Sequence, residues 1–195
     1  MEGVSAQAHD GEFARHQTDN KHTVRLADAG PHWGWFAVVA TSEGVCGATF
    51  GHANELEAGK VLEEILDSSL GGNGKSEQIA EYAVSELLAF FAGEGVAFSV
   101  PVALRGTAFQ RAVWEETNAV EYGTLATYQE IAKRIGKPLA YRAVGNALGQ
   151  NPLPVIVPCH RVIASDGSFG GYTRGLPWKE QLLALEGSLG LVHAK

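Results

Sequence analysis

One helix-start signature occurs twice, twenty residues apart, and constrains this chain more than any other feature. Thr107-Ala108-Phe109-Gln110 and Thr127-Tyr128-Gln129-Glu130 each pair an N-cap hydroxyl with a Gln or Glu three residues on. That is the reciprocal arrangement of a capping box. Phe109, Val113 and Trp114 then share one face of the first helix, and Ile131 and Ile135 one face of the second. Gly136 suits a left-handed cap, and Pro138 suits the first turn of a further helix running to about Leu148. Two short helices joined by Gly136-Lys137 predict a helix-turn-helix. Its second helix carries Arg142 among Ala140, Ala143, Gly145 and Ala147. A helix so poor in bulk fits closely into a groove, or equally against another backbone.

The first half reads differently. Thr23–Ala27, Trp33–Thr41 and Val45–Phe50 are rich in β-branched and aromatic residues, and Gly30-Pro31 and Ser42-Glu43-Gly44 separate them. They predict a small antiparallel sheet. Asn54 to Leu70 predicts a helix with Leu56, Leu62, Ile65, Leu66 and Leu70 on its apolar face and an Asn54/Glu57 cap. A glycine-rich loop, Gly71 to Gly74, leads to a second amphipathic helix, Ser76 to Phe91, stopped by Gly93. The fold class is therefore α+β, a small sheet with helices followed by a mostly helical part with a short active-site strand. Residues 1–20 read as a flexible tail, 21–100 as a scaffold domain and 101–195 as a second domain, the boundary falling between Gly93 and Gly106.

With 195 residues the chain can bury a substantial core. Its longest apolar runs are under ten residues, too short for a membrane span, and Met1 to Asn20 lacks an apolar signal core. Two cysteines, Cys46 and Cys159, make neither a disulfide scaffold nor a cysteine zinc site, so a reducing, cytoplasmic setting is expected. Charge is unevenly spread. Residues 1–100 hold 5 basic against 15 acidic side chains, and residues 101–195 hold 10 against 7. A basic half can meet phosphates while an acidic half faces water.

Leu153 to Val157 reads as an apolar strand delivering Pro158-Cys159-His160-Arg161-Val162. A lone cysteine is most often a small buried hydrophobe, but adjacent His160 and Arg161 are the kind of neighbours that lower a thiol pKa. Consecutive residues of a strand face opposite ways, so a Cys159–His160 pair needs a turn or a bridging water. Glu186 alone reads as a surface residue of a terminal helix.

The Pro158 to Val162 segment resembles the active-site signature of the methylated-DNA–protein-cysteine methyltransferases, which repair 6-O-alkylguanine. Arg105 to Gln110, Tyr128, Arg142 to Gly145, Asn151-Pro152, Ser165 to Gly167, Gly171-Tyr172 and Lys179 to Glu186 fall in the family's order. The wording Arg-Gly-Thr-Ala-Phe-Gln resembles most the methyltransferase half of the Ada-type adaptive-response protein. The resemblance implies a ribonuclease H-like first domain and irreversible, single-turnover alkyl transfer to Cys159. It implies His160 as base through a water, Glu186 as its orienter, and Asn151 as a hinge tying helix to cysteine. It implies double-stranded DNA bound through the minor groove, with 6-O-methylguanine flipped out and 4-O-methylthymine as a second lesion. Arg142 would fill the gap, and Tyr128 would meet the flipped base and donate a proton as guanine leaves. Ala143 and Gly145 would allow close approach. The carbonyls of Cys159 and Val162 would accept the guanine amino group, and Tyr172 and Thr173 would close the pocket wall.

Tyr141 is bulkier than the residue usual beside the arginine, and Thr173 and Arg174 also depart from the family's pattern. No cofactor, metal or membrane is expected, and the protein is expected to act as a monomer. His22, His32 and Cys46 lack a recognised zinc spacing. The alternatives are a lesion binder that transfers nothing, which the presence of Cys159 disfavours, a cysteine hydrolase, which lacks its distant partners, and a helix-turn-helix regulator.

Overall fold

Strand alternation places the core. In the computed structural model, which describes residues 22–65, 74–95 and 97–192, β1 (Thr23–Asp28), β2 (Trp35–Ala40) and β3 (Val45–His52) form an antiparallel meander. Phe36, Val38 and Ala40 face α2 (Gly74–Phe91), where Ile79, Ala83 and Leu87 bury them. Ala37 and Val39 point the other way and cluster with Val24 and Leu26 of β1 and with Ala58 of α1 (Glu55–Ile65). Both faces are covered, so β2 is apolar almost throughout.

The expected cap of α1 forms, with Asn54 Oδ1 accepting from Glu57 N at 3.0 Å. Leu56 does not join the buried face; it is 67% exposed, and Ala58 makes the sheet contact instead. Leu66, Leu70 and the loop at 71–73 lie outside the described residues, as does the tail at 1–20.

Both predicted capping boxes are present. Thr107 caps α3 (Ala108–Asn118), and Thr127 caps α4 (Tyr128–Arg134), each with its reciprocal Gln110 or Glu130 bond. Gly136 adopts φ +72° after α4. Pro138 is not in the first turn of the next helix: α5 begins at Tyr141 and runs to Gly149. Residues 137–140 make a turn instead, closed by Ala140 N donating to Lys137 O at 2.9 Å. Trp114 Nε1 donates to Ala147 O at 2.9 Å and fastens α3 to α5.

Leu153–Val157 is not a strand. Pro154 and Val157 bridge each other, and buried Val155 sits at φ +75°, an unusual conformation for a β-branched residue. The chain reverses there and enters a 3-10 turn at Cys159–Arg161. Only Val162–Ile163 (β5) is strand, paired in parallel with β4 (Ala126–Thr127). The last helix, α6 (Leu176–Leu185), packs beside that turn. One apolar cluster runs from Phe36 and Phe90 through Val113 and Trp114 to Leu182 and joins the two halves.

Candidate active site

The 3-10 turn resolves the strand problem posed by the sequence. Cys159 and His160 both point inward, because successive residues of a tight turn do not alternate faces as strand residues do. His160 is fully buried. Its Nε2 lies 2.9 Å from Glu186 Oε1, so Nε2 carries the proton and Nδ1 is left as the basic nitrogen. Nδ1 is buried and bonds to no protein group. Burial holds the imidazole pKa below its ordinary 6.5, against the opposing pull of Glu186.

Glu186 is buried rather than on the surface, at the C-terminal cap of α6. Arg161 claims most of its carboxylate: Nε donates to both oxygens at 3.0 and 3.1 Å, and Nη2 donates to Oε1 at 2.9 Å. Arg161 Nη1 also reaches Val120 O at 2.6 Å. Burial pushes the Glu186 carboxyl up, but His160 and Arg161 outweigh it, and its pKa lies below the ordinary value.

This arrangement overturns one electrostatic expectation. The Cys159 thiol pKa is raised, not lowered, and burial is the main cause. The Arg161 charge is spent on Glu186. The influences that do favour the thiolate are, largest first, the Asn151 amide, which donates to Sγ at 3.3 Å, the ammonium of Lys179, and the backbone N–H groups of Cys159 and His160. Asn151 also donates to Val157 O at 2.8 Å and accepts from Leu153 N at 3.0 Å. It thus ties the end of α5 to the turn that carries the cysteine.

Cys159 opens on a cavity of about 510 Å³. Among the expected site residues, Tyr128, Tyr141, Arg142, Gly145, Tyr172 and Thr173 line it with the cysteine. Tyr128 Oη donates to Gly171 O at 3.2 Å, and burial raises its pKa, so it is a protonated donor at neutral pH. The loop at Gly170 presses on that ring. A Cβ there would lie 2.7 Å from the Tyr128 ring, and φ is +67°. The buried Tyr172 hydroxyl faces the thiol, and burial first, then Cys159, raises its pKa well above the ordinary value.

Ala143 lies outside this cavity, on the exposed face of α5 with Tyr141 and Arg142. Val162 is also outside it and fully buried; its carbonyl accepts from Lys179 Nζ at 2.6 Å. The Cys159 carbonyl accepts from Val162 N. Each of these carbonyls thus accepts one internal bond and keeps a second lone pair. His22, His32 and Cys46 do not converge: among the described residues no His, Cys, Asp or Glu group has a metal-holding arrangement.

Sequence reasoning missed Lys179 and the Arg161–Glu186 pair. A signal was available, since 179, 182, 183 and 186 follow the i, i+3, i+4, i+7 spacing of one helix face. Lys179 and Glu186 occupy that stripe beside Leu182 and Leu183, and all four are buried.

A buried thiol, a histidine–carboxylate pair behind it and a helix-turn-helix at the cavity mouth define a cysteine-centred protein with a helical docking face. Comparison with known proteins makes this specific. Residues 108–188 match the family model for the 6-O-methylguanine DNA methyltransferase DNA-binding domain. A methylated-DNA–protein-cysteine methyltransferase of Methanosarcina acetivorans is 48% identical over 130 residues, 67% of this chain and 81% of that one. Its counterpart from Mycobacterium tuberculosis is 44% identical over 138 residues, 71% of this chain and 84% of that one. The crystal structure of Mycobacterium tuberculosis OGT in complex with DNA aligns with a TM-score of 0.67 at 34% identity, covering 88% of this chain and 95% of that one. The chain belongs to the methylated-DNA–protein-cysteine methyltransferase family.

Proposed function

We propose that the protein repairs duplex DNA by moving a methyl group from 6-O-methylguanine to Cys159, once per molecule. The observation that carries this is the placement of the thiol: on the cavity shared with Tyr128 and Arg142, with the His160–Glu186 pair behind it. In this reading His160 is the base, which a thiol with a pKa raised by burial requires. A thiol held protonated needs a base at the moment of attack. His160 Nδ1 takes the proton through a water, and Glu186 stabilises the imidazolium through Nε2. The sulfur then bonds to the methyl carbon and the carbon–O6 bond breaks. Tyr128 gives its proton to the departing guanine and recovers one from the His160 side. The products are an S-methylated cysteine and guanine. The thioether does not revert, so the protein is consumed.

The target atom is stacked inside the duplex, so the nucleotide is flipped into the cavity. Arg142 fills the gap, and the Ala143 and Gly145 positions let α5 approach the minor groove. Residues 101–195 are the DNA-binding and transfer half, and residues 21–100 the scaffold. No helix among the described residues is long and apolar enough to cross a membrane. The proposed setting is the cytoplasm, where the two cysteines stay reduced, and the proposed acting unit is a monomer. 4-O-methylthymine is a second substrate.

Intact-protein mass spectrometry after mixing with a duplex carrying one 6-O-methylguanine tests the proposal. One methyl mass, about 14 Da, should appear on the Cys159 peptide and be absent from Cys159→Ala. A wild-type protein that binds the duplex without gaining mass refutes transfer and leaves a lesion binder.

A further inference from the structure

Three of the chain's four tryptophans surround a cavity that takes no part in the proposed reaction. It measures about 450 Å³ and is built by the β1–β2 loop, the end of β3 and the first turn of α6. It shares no lining residue with the cavity that holds Cys159. Trp33, Trp35 and Trp178 line it, whereas Trp114 is buried against α5.

The aromatic wall is fixed in advance. The Trp33 ring centre lies 5.0 Å from that of Phe91 and 6.2 Å from that of Trp178, and the two indoles are inclined by 29°. Trp178 rests directly on β3: a Cβ at Gly51 would fall 2.5 Å from its ring, and Gly51 has φ +75°. The loop is equally constrained. Ala29 N donates to Gly34 O at 3.0 Å, Gly34 N donates to Gly30 O at 2.7 Å, and Asp28 Oδ1 accepts from Gly30 N at 2.9 Å. Fixed aromatic walls with a few placed polar groups are the make-up of a binding site, and walls already in place lower the cost of binding.

Electrostatics select the ligand. Asp28 is the only carboxylate lining the cavity, and no lysine or arginine lines it. The loop bond occupies one Asp28 oxygen, and among the described residues no ion pair uses the other. His52 turns toward Thr49, its Nε2 2.6 Å from Oγ1. Burial first, then Arg174, holds its pKa below the ordinary 6.5, so it adds no positive charge at neutral pH. Indole faces themselves attract cations. Phosphate is disfavoured by the same carboxylate and by a first half that holds 5 basic against 15 acidic side chains. The ligand this cavity suits is a cation, not DNA.

We infer that this cavity binds an arginine side chain on an exposed segment of a partner protein. A guanidinium is planar and weakly hydrated, so it stacks on an indole while its fork meets the Asp28 carboxylate. A lysine ammonium has no plane to stack. Pro31, His32 and Ala53 at the rim are exposed, so the backbone of the partner segment stays outside while the side chain enters. No residue of α5 lines the cavity, so a partner seated there leaves the helix-turn-helix open. The inference does not depend on the alkyl-transfer reading.

The test follows the indole N–H signals of the full chain by NMR during titration with two blocked tripeptides, Gly-Arg-Gly and Gly-citrulline-Gly. Citrulline keeps the shape of arginine without its charge. The arginine peptide should shift the Trp33, Trp35 and Trp178 signals along one saturable curve and leave Trp114 in place. The citrulline peptide should bind about tenfold or more weakly than that. Asp28→Asn, which keeps an acceptor for the Gly30 amide, should weaken the arginine peptide by a similar factor. The absence of a saturable shift, equal binding of the two peptides, or wild-type binding by folded Asp28→Asn overturns the inference. An unmodified DNA duplex that shifts the same three signals overturns it as well, because the cavity would then face nucleic acid.

Discussion

Replacing Glu186 by glutamine removes one charge and almost no volume, yet the structure makes it a severe change. Glu186 accepts from His160 and Arg161 with its side chain wholly buried, and the Arg161 side chain is only 7% exposed. Glutamine keeps one acceptor oxygen but turns an NH₂ group toward a guanidinium that can only donate. Arg161 would retain its Val120 carbonyl and lose its counter-charge. Breaking a buried pair from one side costs about 3–5 kcal/mol. For a chain of this size that lowers Tm by roughly 6–20 °C. Urea and thermal unfolding at pH 7 measure it directly. The double variant Glu186→Gln/Arg161→Met should recover part of the loss, because the stranded cation goes too. Acid supplies a second check. The Glu186 pKa is depressed on folding, so its contribution is present above the ordinary carboxylate range and is lost as pH falls through the folded value. Wild type and Glu186→Gln should therefore converge in acid. A cost under about 1 kcal/mol at pH 7, or a double variant no more stable than the single one, refutes the view that Glu186 is an ion-pair anchor as well as an orienter.

Three further outcomes follow from the same geometry. Arg142→Ala should slow transfer from duplex DNA by about tenfold or more while leaving reaction with free 6-O-methylguanine base nearly intact, since Arg142 is exposed on α5 at the mouth of the cavity that holds the thiol; equal losses on both substrates would remove its role in the duplex. Lys179 has its pKa brought down from 10.5 to about 8 by burial, so the unfolded chain holds that proton across the window between and the lysine's contribution to stability rises with pH there, by about 3 kcal/mol in all. The buried thiol works with the opposite sign above 9.0, so the measurement is the difference between wild type and Lys179→Met over pH 8 to 10.5; parallel curves would show that the buried ammonium is not destabilising. Thr127→Ala should cost about 1 kcal/mol in urea unfolding, since it leaves the Glu130 amide without its cap; no change would mean that water replaces the hydroxyl at no cost.

What the sequence made legible divides along a physical line. Local signals were readable wherever a few neighbouring residues decide the outcome: both capping boxes, the Gly136 stop and the three strands formed as their own residue types dictate. The neighbouring His160 and Arg161 drew attention to Cys159, but the roles of Cys159 and His160 came from the family resemblance of the Pro158 to Val162 segment. Features set by distant partners were not readable. Leu153–Val157 has strand composition but is bent by its surroundings into a turn with Val155 left-handed, and the fate of the Arg161 charge depends on Glu186, across 25 positions of sequence. That second misreading changes the chemistry. A cation beside a cysteine suggests a pre-formed thiolate only while the cation is free, and here a carboxylate takes it. Burial then leaves the thiol pKa raised, and on the proposed reading activation falls to His160 and not to Arg161. A nucleophile kept neutral at rest would also suit the proposed single-use reaction, because a standing thiolate would be open to any electrophile that entered the cavity.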